Sequence, residues 1–138
     1  MIGKKINELN IGDYETFTKK ITEKEVELFG EVSGDMNPVH FDSEYASTTI
    51  FKKRIAHGML CASLFSTIIG TKLPGYGTIY LSQDVKWLAP VYLGDELVAK
   101  VTVVEKNEEK NRVVLETTTT NQEGKVVITG KALVMPPR

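Results

Sequence analysis

The stretch that most limits how this chain can fold is MLCASLFSTII, residues 59–69, which comes directly after His57-Gly58 and carries no charge. A segment of that length, apolar on most sides, predicts a buried central helix that other elements must cover. The C-terminal half of the chain supplies the cover. Beyond Leu73-Pro74-Gly75 come TIYLSQDVKWL, ELVAKVTVVEK, RVVLETTTT and KVVITGKALVM, four strand candidates rich in β-branched residues and mostly alternating in polarity. One expected apolar face runs through Leu97, Val101 and Val103, then Val113 and Leu115, then Val126, Ile128, Ala132 and Val134. Pro90 with Gly94-Asp95, Asn107 to Asn111, and Gln122-Glu123-Gly124 separate the strands and read as hairpins or close antiparallel turns.

Ahead of the apolar run, Asn10-Ile11-Gly12-Asp13 reads as a turn into a strand, YETFTKKI. Thr22 and Glu25 then form a capping-box pattern that starts a helix, with Val26, Phe29 and Val32 as its buried stripe and Ser33-Gly34-Asp35 as its stop. Asp42 can cap a short helix at SEYAS, and TTIFKKRIA reads as irregular. The economical architecture is α+β: a curved antiparallel sheet wrapped around a central apolar helix, the layout of a hot-dog fold. An open sheet edge favours pairing with a second copy, hence an expected homodimer. With 138 residues and no repeat or linker, residues 1–138 read as a single domain able to bury roughly two-thirds of its unfolded surface.

Charge narrows the function classes. Lys and Arg total 17 against 18 Asp and Glu, so no basic face is offered to nucleic acid or to an anionic membrane. The lone cysteine, Cys61, cannot close an intrachain disulfide, and neither a signal-peptide pattern nor ~18 consecutive apolar residues occur. The expectation is a soluble cytoplasmic protein. With only His40 and His57 as histidines and no cysteine cluster, no metal or organic cofactor is implied.

Chemistry concentrates in GDMNPVHFDSEYA, where Asp35, Asn37, Pro38 and His40 fall within six residues on a stretch that Pro38 keeps from continuing as regular helix. A carboxylate and an imidazole held close suit hydration of a double bond. One can take a proton from water as it attacks carbon 3, and the other can orient that water or deliver a proton to carbon 2. A thioester carbonyl gathers charge in such a reaction and needs a fixed donor. The Gly58 backbone amide is the candidate, because amides at a helix start are unpaired and glycine lets an oxygen approach closely. The plainer reading of Asp-x-Asn-Pro is a turn, and that of His57 is a partly exposed polar residue capping the helix start.

FGEVSGDMNPVHFDSEYA and IAHGML resemble the two signature blocks of the MaoC-like, R-specific enoyl-CoA hydratases, and the likeness continues through ASLFSTIIGTKLPGYGTIYLSQDVKWLAPVYLGDEL. It is closest to the short single-domain hydratases that supply R-3-hydroxyacyl-CoA for polyhydroxyalkanoate. The resemblance implies a hot-dog homodimer acting on a small-molecule acyl-CoA, with Asp35 and His40 as catalytic pair and Gly58 as oxyanion amide. It makes Asn37 a supporting residue and gives Ser66 a site role, against the commoner case of a helix serine bonding its own backbone. Ile69 and Leu133 become acyl-pocket candidates, with core packing as their other reading. Arg54 stands where many relatives have proline, and either alters the loop or offers charge to CoA phosphates. Hot-dog proteins also hydrolyse thioesters or bind acyl-CoA without turnover, so fold alone leaves those functions open.

Overall fold

The computed structural model describes residues 1–138. β1 (Tyr14–Lys20) leads into α1 (Glu23–Ser33), followed by the short helices α2 (Pro38–Phe41) and α3 (Ser43–Ser47). The apolar run forms α4 (Gly58–Ala62) and α5 (Leu64–Thr71), and the strands β2 (Ile79–Gln83), β3 (Lys86–Trp87), β4 (Glu96–Asn107), β5 (Arg112–Thr120) and β6 (Val126–Met135) complete the chain. The sheet has the order β1-β4-β5-β6-β2, with β3 also on β6, and every pairing is antiparallel. α5 packs against β1, β4 and β2, so the sheet curves around it in the α+β hot-dog arrangement.

The core follows from the alternation of the strands. Leu97, Ala99, Val101 and Val103 of β4 and Val113 and Leu115 of β5 turn inward onto Phe65, Ile68 and Ile69 of α5. On β6 the inward set departs from simple alternation. The register shifts between Thr119 and Thr120, placing Ile128 opposite the first and Val126 opposite the second. This bulge turns Val127 into the core and leaves Val126 40% exposed, because an extra residue reverses which face a side chain takes.

Three other expectations are corrected. The central helix is broken at Ser63, whose N–H reaches back to both Met59 and Leu60 carbonyls, and it is not apolar all round: Met59, Ser63 and Ser66 form an exposed stripe. α1 buries Val26 and Gly30 at i,i+4 spacing, while Phe29 is half-buried and Val32 is 86% exposed. Gly30 lies so near Phe41 that a Cβ there would meet its ring at 2.5 Å, and this close approach sets which face turns inward. Finally, the segment through Pro90 and Gly94-Asp95 is no hairpin. β3 lies on β6 and β4 lies across β5 from it, so the chain crosses the sheet there.

The single stretch TIYLSQDVKWL is also split at Asp84-Val85. Asp84 N donates to Lys131 O at 2.9 Å and Asp84 Oδ1 accepts from Lys131 N at 3.1 Å. The close approach requires Gly130, where a Cβ would stand 2.0 Å from the Asp84 carbonyl oxygen.

The Thr22 and Glu25 capping box forms as the sequence predicts, with Thr22 N donating to Glu25 Oε2 at 2.9 Å. Thr22→Ala is expected to lower the unfolding free energy by about 1 kcal/mol at pH 7, read from urea denaturation. The side-chain hydrogen bond from Thr22 chiefly holds the Glu25 carboxyl down to about 2, against an ordinary value of 4.5. Its contribution is therefore complete above pH 4.5 and fades as pH falls towards 2, so the wild-type advantage should narrow over that window.

Candidate active site

The loop from α1 to α2 is built by short-range hydrogen bonds that its residue types favour. Gly34 ends α1 in the left-handed region at φ 80, with its N–H on the Gly30 carbonyl at 2.9 Å. Ser33 Oγ then accepts from Asp35 N at 3.1 Å, Asp35 Oδ1 from Asn37 N at 3.2 Å, and Asn37 Oδ1 from Val39 N at 3.2 Å. Each polar side chain thus holds the amide two residues on. Pro38 opens α2, where its missing N–H costs nothing. Asn37 accordingly fixes the loop from both its ends.

Asp35 lies exposed, whereas His40 is 7% exposed. His40 Nδ1 lies 2.8 Å from the Ile55 carbonyl oxygen. A carbonyl only accepts, so Nδ1 carries the proton and Nε2 is the nitrogen left for a ligand. Burial lowers the His40 pKa below its ordinary 6.5, opposed by the Ile55 hydrogen bond and the Asp35 charge and assisted by His57. The neutral ring is the favoured form.

Arg54 secures the same segment. Its Nε donates to the His40 carbonyl at 2.7 Å and its Nη1 pairs with Glu23 Oε1 at 2.8 Å, tying α2 to the start of α1. Of the two readings of Arg54, the geometry carries the one in which it shapes the loop.

His57 departs from expectation. It is 1% exposed and makes no side-chain cap. Its ring stacks on His40 with centroids 3.9 Å apart, lies between Phe29 at 4.8 Å and Phe41 at 5.6 Å, and directs Nε2 to the Asp35 carbonyl at 2.9 Å. Ligand atoms of Asp35, His40 and His57 lie within 4.8 Å of one another. The two imidazoles lie stacked, and each has one ring nitrogen engaged by a backbone carbonyl.

Gly58, the first residue of α4, has an amide that no group of the chain accepts. Its carbonyl accepts from Trp87 Nε1 at 2.9 Å, and a Cβ at Gly58 would lie 2.7 Å from that nitrogen. Gly58 and Trp87 both border a cavity of about 350 Å³ lined also by His40, Phe51, Cys61 and Val91 and a neighbouring one of about 360 Å³ lined also by Asp35. Trp87 also borders a third, about 530 Å³, with Phe29, Met59, Ser66 and Tyr80.

Asp35, His40, Asn37 and Gly58 are therefore gathered in one place, and Ser66 lies on the neighbouring groove. The Ser66 hydroxyl makes no bond to its helix, unlike Ser63 Oγ, which returns to the Leu60 carbonyl at 2.6 Å. Ile69 is 1% exposed in the core and Leu133 is half-buried on β6, and neither borders these three cavities. Sequence reasoning missed His57 and Trp87. The signals were thin: one of two histidines directly before the key glycine, and the chain's only tryptophan inside a strand pattern.

Comparison with known proteins identifies the family and the fold. Residues 11–125 match the model of the MaoC like domain. An (R)-specific enoyl-CoA hydratase of Rhodospirillum rubrum is 48% identical over 126 residues, covering 91% of this chain and 87% of that protein. The unliganded R-hydratase PhaJ1 of Pseudomonas aeruginosa superposes with TM-score 0.93 at 48% identity, covering 99% of this chain and 87% of that one. The (R)-hydratase of Aeromonas caviae involved in PHA biosynthesis gives TM-score 0.90 at 42% identity, covering 94% and 98%. A curved sheet around a broken apolar helix, a site on the α1–α2 loop and likeness along most of its length place this chain in the MaoC-like domain family.

Proposed function

We propose that the protein hydrates trans-2-enoyl-CoA reversibly to (R)-3-hydroxyacyl-CoA. The observation that carries this reading is the free Gly58 amide at the common border of the cavities holding His40 and Asp35. Water adds its oxygen to carbon 3 while Asp35 and His40 hold it. One of its protons leaves to this pair, and carbon 2 gains a proton from the same site. Charge that collects on the thioester oxygen is met by the Gly58 N–H, and loss of one such donor typically costs about 2.7–4 kcal/mol. The hand of the product rests on relatives named (R)-specific hydratases.

Asn37 supports the loop, Ser66 faces the groove beside the pair, and Ile69, in the core, and Leu133, half-buried on β6, remain acyl-pocket candidates. Residues 1–138 act as one domain, and a homodimer completes the site. β2 is an edge strand with Ile79, Tyr80 and Leu81 53%, 36% and 41% exposed, and Met59 is 61% exposed on the neighbouring helix. A second copy covers unpaired backbone and apolar surface together. A reducing cytoplasm suits the buried Cys61 thiol, pushed up to about 12 by desolvation, and no helix is long and apolar enough to cross a membrane. Supply of monomer for polyhydroxyalkanoate is carried over from the Aeromonas relative, which is involved in PHA biosynthesis.

Crotonyl-CoA should lose its conjugated ultraviolet absorbance without releasing CoA thiol, and longer enoyl-CoAs with chiral analysis of product define pocket depth and hand. Thiol release without hydration would instead assign a thioesterase. Asp35→Asn should lower hydration at least roughly a hundredfold with CoA binding retained. Because burial favours neutral His40, the acid limb of kcat/KM assigned to it should fall below pH 6.5, and a limb above that value would reject its role as acceptor.

A further inference from the structure

The structure assigns to His57 the part of a positioning residue that fixes the base-bearing loop, the His40 ring and the Gly58 amide relative to one another. Three contacts carry this. Its Nε2 donates to the backbone carbonyl of Asp35 at 2.9 Å, its ring lies on that of His40 at 3.9 Å, and it is covalently joined to Gly58.

A filler of the core would not need a nitrogen. His57 is 1% exposed and Phe29 and Phe41 flank it, a setting in which phenylalanine gives equal bulk without polar atoms. The imidazole instead brings Nδ1, which is buried and has no hydrogen-bond partner. An unpaired buried polar atom is costly, so its retention is explained by what the other nitrogen does. Asp35 is exposed, and its backbone carbonyl has this buried donor as a tether to the layer beneath it. The tether links α4 to the α1–α2 loop across the site, so the distance from carboxylate to oxyanion donor is set by one side chain.

This rests on the hydration reading, and the test separates the two. His57→Gln keeps a donor at the position of Nε2. His57→Phe keeps the stacked ring without a donor, and His57→Asn moves the donor to the position of Nδ1. In crotonyl-CoA hydration, kcat should fall roughly 10–100-fold for His57→Phe and for His57→Asn, as expected for misplacement near 1 Å, with KM within about twofold. His57→Gln should recover most of that loss. Amide hydrogen exchange at Met36 and Asn37 should quicken in the first two variants and return in His57→Gln, with the amides of α5 unchanged in all. That exchange measurement needs no turnover, so it decides the matter even if the wild type fails to hydrate and the functional reading falls. Wild-type kcat in His57→Phe, equal impairment of His57→Gln and His57→Phe, or unaltered exchange in the loop would each overturn the assignment. Should His57→Phe fold poorly, the comparison of His57→Gln with His57→Asn is read the same way.

Discussion

Everything in this molecule depends on the burial of α5. Phe65, Ile68 and Ile69 are at most 1% exposed, enclosed in one core cluster with the inward residues of β4, β5 and β6. Full burial of such side chains contributes about 1.5–3 kcal/mol each, which makes α5 the element that cannot shift. The break at Ser63 matters for that reason. α4 begins at Gly58, whose unused amide stands at the border of the cavities, while α5 beyond Ser63 stays in the core.

The site then rests on backbone carbonyls used as anchors for side chains. Ile55 O holds His40, Asp35 O holds His57, His40 O holds Arg54, and Gly58 O holds Trp87. A carbonyl accepts whatever the pH, so this frame orients the titrating groups without itself titrating. Asp35 and His40 are also unequally placed: an exposed carboxylate beside a buried imidazole puts the charge at the rim and the neutral ring inside.

What was legible in the sequence was local. The capping box at Thr22, the left-handed Gly34, the cap at Asp42 and the β-branched strands are set by neighbours within a few residues. The cluster of Asp35, Asn37 and His40 was legible for the same reason, since Pro38 fixes it by chain geometry. What escaped depends on distant partners. The inward turn of Val127 needs a bulge registered on β5, and the exposure of Val32 follows from the contact of Gly30 with Phe41. The crossing from β3 to β4 is a choice of strand neighbour that no turn residue encodes. His57 escaped because its role lies in where its ring nitrogens go, and its nearest chain neighbours reveal nothing of that.

Trp87 gives the protein an optical property. It is the chain's only tryptophan, 48% exposed, borders three cavities and shares its indole proton with the carbonyl of Gly58. Indole emission responds to hydration and to the strength of that hydrogen bond, so the tryptophan fluorescence of the chain reads out from one point beside Gly58. Occupancy of the site and the rate at which it fills are therefore built into the protein as a signal, with no label attached.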